Sequence, residues 1–291
     1  MAKRRSSPVE VTDYGPYRIL DIHSDQIAEC MKLYAVEKVD GISISPHHGY
    51  RLKDLSFLKN YPFVKGLAVG YAHSIDVSAI SELQRLKFIG LFGSKQPIDF
   101  SVFRELEEIR VEWHPKMVFP KRSTRMKRLY MSGYKPKSKD FHELPDYPNL
   151  QELEIIQSPV HSLAGLERFK KLKRLELSYL TKLESIADLK SASLQFLHLD
   201  TCKKISDHAH VKNLRNLRIL RFGNCGSMPS LDFLKQMPKL EELTFVDTNV
   251  EDGDLSACLR LERVGFLNKK HYSHTDDEVD AIIAARQKKR K

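Results

Sequence analysis

One spacing constrains this chain more than any other: apolar-x-x-apolar-x-apolar, repeated along most of its length. The triplets read Val39/Ile42/Ile44, Val64/Leu67/Val69, Leu86/Ile89/Leu91, Leu106/Ile109/Val111 and Met126/Leu129/Met131. They continue through Leu150/Leu153/Ile155, Leu172/Leu175/Leu177 and Leu194/Leu197/Leu199 to Leu217/Leu220/Phe222, Leu240/Leu243/Phe245 and Leu261/Val264/Phe266. The mean step is about 22 residues, a period that belongs to solenoid repeats. The last two apolar positions of each triplet are two residues apart, so both face one side of a short strand. One such strand cannot bury its apolar side alone. Stacked strands can, by building a parallel sheet over one continuous core.

The triplets, their period and return segments such as Lys53-Asp54-Leu55-Ser56-Phe57-Leu58-Lys59-Asn60 resemble the leucine-rich-repeat superfamily over about residues 39–268. The period is similar to the bacterial internalin-like class and to the repeat subunits that regulate eukaryotic protein phosphatases. The resemblance implies an α/β leucine-rich-repeat solenoid. Its expected form is a curved parallel sheet on the concave face, irregular loops and short helices on the convex face, and helical end caps. It also implies binding, since the superfamily mostly binds proteins. The chain departs from the family pattern in one column. Many such repeats place Asn three residues after the triplet; here stand Ala72, Ser94, His114, Tyr134, Ser158, Leu180, Cys202, Cys225, Thr248 and Lys269. Turns are therefore expected to rely on small polar groups, backbone or water.

The ends read as caps. Residues 1–15 are expected to be a basic, disordered tail, and 16–38 a cap with a strand at 18–22 and a helix at 24–36 started by Ser24-Asp25. Repeats fill 39–274. Thr275-Asp276-Asp277-Glu278 is a capping box, and Val279, Ile282 and Ile283 give the following helix, within 275–291, a face to close the core.

The formal charge is +10, yet residues 1–8 contribute three positive charges and residues 286–291 five, leaving +2 for the body. Overall basicity is thus weak evidence for nucleic-acid binding. Four scattered cysteines do not make a disulfide scaffold, and no signal or membrane span is apparent, so a monomer in the cytoplasm is expected. Cys202 and Cys225 occupy equivalent places on adjacent rungs, within disulfide reach. Buried free thiols are the favoured state there.

Side chains between the apolar positions should face a partner. On the concave face these are Phe88, Phe92, Glu108, Arg110, Glu112, Arg128, Tyr130, Glu152, Glu154, Arg174, Glu176, His198 and Arg221. Mixed signs with Tyr, Phe and Arg suit a protein surface better than a phosphate backbone. Arg110, Tyr130, Glu154, Glu176 and His198 are expected in one column. A second candidate is segment 116–139, which holds no acid and carries Lys116, Lys121, Arg122, Arg125, Lys127, Arg128, Lys135, Lys137 and Lys139. It is expected to steer an acidic partner.

No glycine-rich phosphate loop, nucleophile elbow or paired-cysteine zinc spacing is present in the sequence. Asp247–Asp254 departs from a calcium loop at its sixth position, Asp252, and its twelfth, Cys258. The expectation is a non-catalytic protein-binding module with no cofactor or metal. Two alternatives stand beside it. One is an inhibitor or immunity-type protein that blocks a toxin or enzyme. The other is a nucleic-acid or anionic-membrane adaptor using segment 116–139 and the tails.

Overall fold

The structure, a computed structural model, describes residues 10–94 and 96–289. The chain forms two compact units, residues 1–126 and 127–291. Each is a stack of parallel strands joined by return segments, the α/β leucine-rich-repeat architecture expected from the triplets.

The first unit begins with β1 (Val11–Tyr14), which pairs antiparallel with β2 (Tyr17–Asp21), and α1 (Ile27–Val36) follows. Then come the rungs β3 (Gly41–Ile44), β4 (Gly66–Val69), β5 (Phe88–Leu91) and β6 (Glu108–Glu112), each pairing parallel with the one before. Ile42, Leu67, Ile89 and Ile109 share one register row and are fully buried. Two expectations need correction. Val11–Tyr14 is a strand, so the disordered tail cannot extend to residue 15; residues 1–9 lie outside the described residues. α1 starts at Ile27, not at 24, because the Ser24 hydroxyl is used elsewhere. It accepts the Arg51 amide at 2.5 Å and the Leu52 amide at 3.3 Å, tying the helix entry to the return segment.

The second unit stacks β7 (Arg128–Ser132), β8 (Glu152–Ile156), β9 (Arg174–Ser178), β10 (Phe196–Asp200) and β11 (Ile219–Gly223). After the short β12 (Ser227–Met228) the stack continues with β13 (Glu242–Val246); β14 (Asn249–Val250) pairs with β12, and β15 (Arg263–Phe266) is the last rung. α2 (Asp276–Lys288) closes the end. The capping box forms as read: the Thr275 amide donates to Glu278 Oε2 at 2.8 Å, and the Thr275 hydroxyl accepts the Glu278 amide. Val279 and Ile283 are buried against the last rung, whereas Ile282 stays partly exposed, so the sealing face is narrower than expected.

Local sequence explains the return segments. Asp54, Asp76, Asp99 and Asp254 each accept, through a carboxylate oxygen, the amide of the serine two residues on, at 2.8–2.9 Å. This Asp-x-Ser turn starts a 3-10 helix on each of those rungs. Residues 113–127 and 133–149 contain turns and bends but no helix, as their prolines require.

The missing Asn column is replaced by mixed donors. The Ser158 hydroxyl donates to Tyr134 O at 2.6 Å, and the Cys225 thiol lies 3.2 Å from both Leu199 O and Gly223 O. The Thr248 hydroxyl accepts the Cys225 amide at 3.0 Å. Cys202 and Cys225 are buried and unbonded, and these short side chains do the work of reaching the backbone of the neighbouring turn. The residue just before the column is left-handed on rung after rung: Tyr71, Gln157, Tyr179, Thr201, Asn224 and Asp247 have φ between +51° and +59°.

Candidate functional site

In the first unit, the sheet face opposite the core is filled by the chain itself. Gly66 leaves room for the Phe88 ring, since a Cβ there would lie 1.9 Å from a ring carbon. Tyr17 stacks on Phe88 with centroids 3.9 Å apart, and Tyr14 lies beyond it at 6.2 Å. Gly90 sits under the Tyr14 hydroxyl, which a Cβ would approach to 2.3 Å. Arg110 covers the Tyr14 ring at 5.1 Å and pairs with the Glu108 carboxylate. Burial pushes the Tyr14 phenol up to about 12, against the pull of Arg110.

The β1–β2 turn is therefore seated on the first unit's face, and two expected contact residues need correction. Phe88 is 1% exposed and Glu108 0%, so neither is presented to a partner. The physical cause is the run of small residues Gly41, Gly66, Ala68 and Gly90, which leaves a trough that Tyr14 and Tyr17 fill. Arg110 belongs to this seat. Glu112 and Phe92 are exposed at the end of the same strands.

The second unit is different. Its strands alternate between buried residues and mostly half-exposed ones, except that Phe196 on β10 is buried beneath its neighbours, so one face stays open around it. Register places three columns on it. The first runs Arg128, Glu152, Arg174, Phe196, Ile219, Glu242 and Arg263; the second runs Tyr130, Glu154, Glu176, His198, Arg221 and Thr244. The third is Ser132, Ile156, Ser178, Asp200, Gly223 and Val246. Of the expected column, Tyr130, Glu154, Glu176 and His198 stand in register within this unit, and Arg110 stands in register with Gly90 in the first.

These side chains hold one another. The Tyr130 hydroxyl donates to Glu152 Oε2 at 2.7 Å. Arg174 Nε donates to Glu176 Oε1 at 2.7 Å, and its guanidinium covers the Phe196 ring at 3.6 Å. His198 Nδ1 lies 3.4 Å from Glu176 Oε2. The His198 imidazole and then the Arg174 guanidinium hold the Glu176 carboxyl below its usual range, against the effect of burial. Arg221 approaches Phe196 from the other side at 5.3 Å and Glu242 at 4.0 Å. Phe196 is the centre of this cluster, and its sequence signal is an aromatic at an outward strand position between two arginines on adjacent rungs.

The basic segment is exposed at Lys116, Lys121, Arg122 and Arg125 in the first unit and at Lys135, Lys137 and Lys139 in the second; Lys127 is half-buried. Among the described residues no group of three or more His, Cys, Asp or Glu is gathered to hold a metal ion, and no helix is long and apolar enough to cross a membrane.

No protein-family model matches the sequence, and no curated protein is similar to it in sequence. Solved structures are similar in fold. An internalin (inlF) of Listeria monocytogenes superposes with a TM-score of 0.54 at 16% identity, covering 92% of this chain and 84% of that one. The functional domain of InlJ from Listeria monocytogenes, which includes a cysteine ladder, gives 0.50 at 18% identity. That match covers 78% of this chain but spans only 47% of the InlJ chain. TLR13, in a complex with the RNA ssRNA13, gives 0.50 at 16% identity over 84% of this chain and 43% of its own. The chain is a leucine-rich-repeat protein by fold, with structural neighbours among the internalins.

Proposed function

We propose that this chain is a non-catalytic protein-binding module whose contact surface is the open sheet face of the second unit. The observation that carries this reading is the cluster of Arg174, Glu176, Phe196, His198 and Arg221. Its charged groups are already paired, and two guanidiniums already lie over the Phe196 ring. A partner would find these side chains fixed, so little entropy is lost in ordering them. Arg and aromatic residues are also the types enriched among interface hot spots. Mixed charge on this face favours a protein over a phosphate backbone, which selects one sign. The exposed lysines and arginines of segment 116–139 would act on the approach, raising the association rate of a partner with acidic surface.

The test is a capture from lysate of the source organism with the wild-type chain, followed by kinetics on the recovered protein. Arg174→Ala with Arg221→Ala should speed dissociation about tenfold or more, which corresponds to about 1.4 kcal/mol per decade. Lys121→Glu, Arg122→Glu and Arg125→Glu together should slow association in a salt-dependent way and leave dissociation unchanged. A partner that dissociates from the double alanine variant at the wild-type rate would move the site off this face.

A further inference from the structure

The open face is not uniformly filled. In its third column Asp200 and Val246 flank Gly223, which has no side chain, and a recess of about 260 Å³ opens there. Its lining includes Arg221, Thr244 and Val246 together with His198, Asp200 and Asp247. The Asp200 carboxylate leans over the glycine: a Cβ on Gly223 would lie 2.4 Å from Asp200 Oδ1.

Charge around the recess is not balanced from within. Glu176 is paired with Arg174 and His198, and Glu242 with Arg221 and Arg263. Asp200 accepts a hydrogen bond from the Thr201 hydroxyl at 3.1 Å, but neither it nor Asp247 has a cationic partner among the described residues. Arg221, the one strong cation in the lining, is turned toward the first column. Its guanidinium lies over Phe196 and reaches Glu242, away from the third column where the recess lies. The recess therefore combines apolar walls with two carboxylates that no guanidinium among the described residues neutralises.

We infer that this recess is a socket for a basic side chain, lysine or arginine, of the protein partner. The inference rests on the proposed role of the second unit's face. A lysine has the matching shape: an aliphatic stem to lie on Val246 and Thr244, and a charged head for Asp200 and Asp247. Gly223 has no positive φ to require it; the space it leaves lets the Asp200 carboxylate lean over the floor of the recess.

The socket can be tested on the full chain with short acetylated peptides that carry one central lysine, norleucine or glutamate between glycines. Norleucine keeps the stem and lacks the charge. Amide resonances of Gly223 and Asn224 are followed as peptide is added to millimolar concentration. The lysine peptide should give a saturable shift there, and norleucine and glutamate should bind at least about tenfold more weakly. Asp200→Asn with Asp247→Asn should remove the preference for lysine, and Gly223→Ala should weaken all three peptides. Unperturbed amides elsewhere in the unit would show that both variants are folded. No saturable shift at Gly223, or norleucine binding as well as lysine, overturns the inference. If the peptides fail while the Arg174/Arg221 variant still sheds its partner, the socket falls and the face stands. If both fail, the face falls with it.

Discussion

The same triplet builds both units, yet their outward faces have opposite fates. In the first, outward positions carry Gly41, Gly66, Ala68 and Gly90, and the chain's own Tyr14 and Tyr17 occupy the space. In the second they carry Arg, Glu, Phe and His, which hold one another upright and leave the face open. Core periodicity decides that a rung forms. The size of the residues between the core positions decides whether its other side is sealed or presented.

The largest effect should come from breaking the seal. Phe88 is the ring that Tyr17 and Tyr14 stack on, and it is buried. Phe88→Ala should cost about 3–5 kcal/mol in denaturant unfolding, the range for a buried ring. Hydrogen exchange should then show the amides of Val11–Tyr14 opening more readily. Retained protection would mean that pairing with β2 alone holds β1.

Overfilling the trough should cost less. A Cβ at Gly66 meets the Phe88 ring, which is itself wedged under Tyr17 and cannot swing freely. Gly66→Ala should destabilise by about 1–3 kcal/mol, as overpacking does. Gly223→Ala in the second unit meets only the far end of the Asp200 side chain and should be nearly neutral in the same assay.

The contrast between the units marks what the sequence could and could not reveal. The rungs were legible because Leu153, Leu175, Leu197 and Leu220 repeat at a fixed step, and burial follows directly from the strand's two-residue alternation. The capping box at Thr275 and Glu278 was legible because both partners lie within one helical turn. The seat of Tyr14 was not. Its ring reaches Gly90, far along the chain, and nothing near Tyr14 in sequence announces that contact. A column of small outward residues beside an outward Phe88 was the one available sign. The return turns were half legible: a missing Asn column says that something else must bond the backbone, but not that thiols and hydroxyls would share the task.

On the open face, stability and binding should separate. Arg174 and Arg221 are part-exposed, and exposed ion pairs contribute about 0–1 kcal/mol. Their double alanine variant should therefore melt close to wild type while losing the partner. A large drop in melting temperature would indicate that the cluster serves the fold, and would weaken the contrast drawn between the two faces.

Acid should act on the second unit through His208. This imidazole is buried against the Phe222 ring, 5.0 Å between centroids, and its Nε2 lies 2.8 Å from Cys225 O. Burial holds its pKa below 6.5. Below that value the unfolded chain binds a proton that the folded chain does not, so stability falls as pH drops from about 6.5 toward the folded value. Glu176, also held low, acts in the same direction at lower pH. It contributes stability above the ordinary carboxyl range, and that contribution is lost as pH falls through its folded value. The two groups therefore leave separate windows in a stability-versus-pH curve. His208→Gln, which retains a donor for Cys225 O, should flatten the upper window only. A slope unchanged by that variant would assign it to another group.

The smallest effect concerns the left-handed residue that ends most rungs. The first unit uses Tyr71 and Gly93 there; the second uses Gly133 and then Gln157, Tyr179, Thr201, Asn224 and Asp247. For a residue with a Cβ this backbone costs about 1–2 kcal/mol. Glycine avoids that cost but loses about 0.5–1 kcal/mol through the greater freedom of the unfolded chain. Gln157, with φ +57°, is the best place to compare the two, because its side chain is exposed and forms no hydrogen bond among the described residues. Its amide donates to Ser178 O at 2.9 Å, a bond that glycine keeps. Gln157→Gly should therefore raise stability, by less than about 1 kcal/mol, since the strain removed slightly exceeds the entropy added. The reverse change at Gly133 isolates the strain. A Cβ there meets nothing within 4 Å, so Gly133→Ala should destabilise through backbone conformation alone. Opposite signs for the two variants in chemical denaturation would show that the rung ends carry real strain. If both destabilise, the Gln157 side chain has a packing role in its own turn, and the repeat tolerates the left-handed residue for that reason.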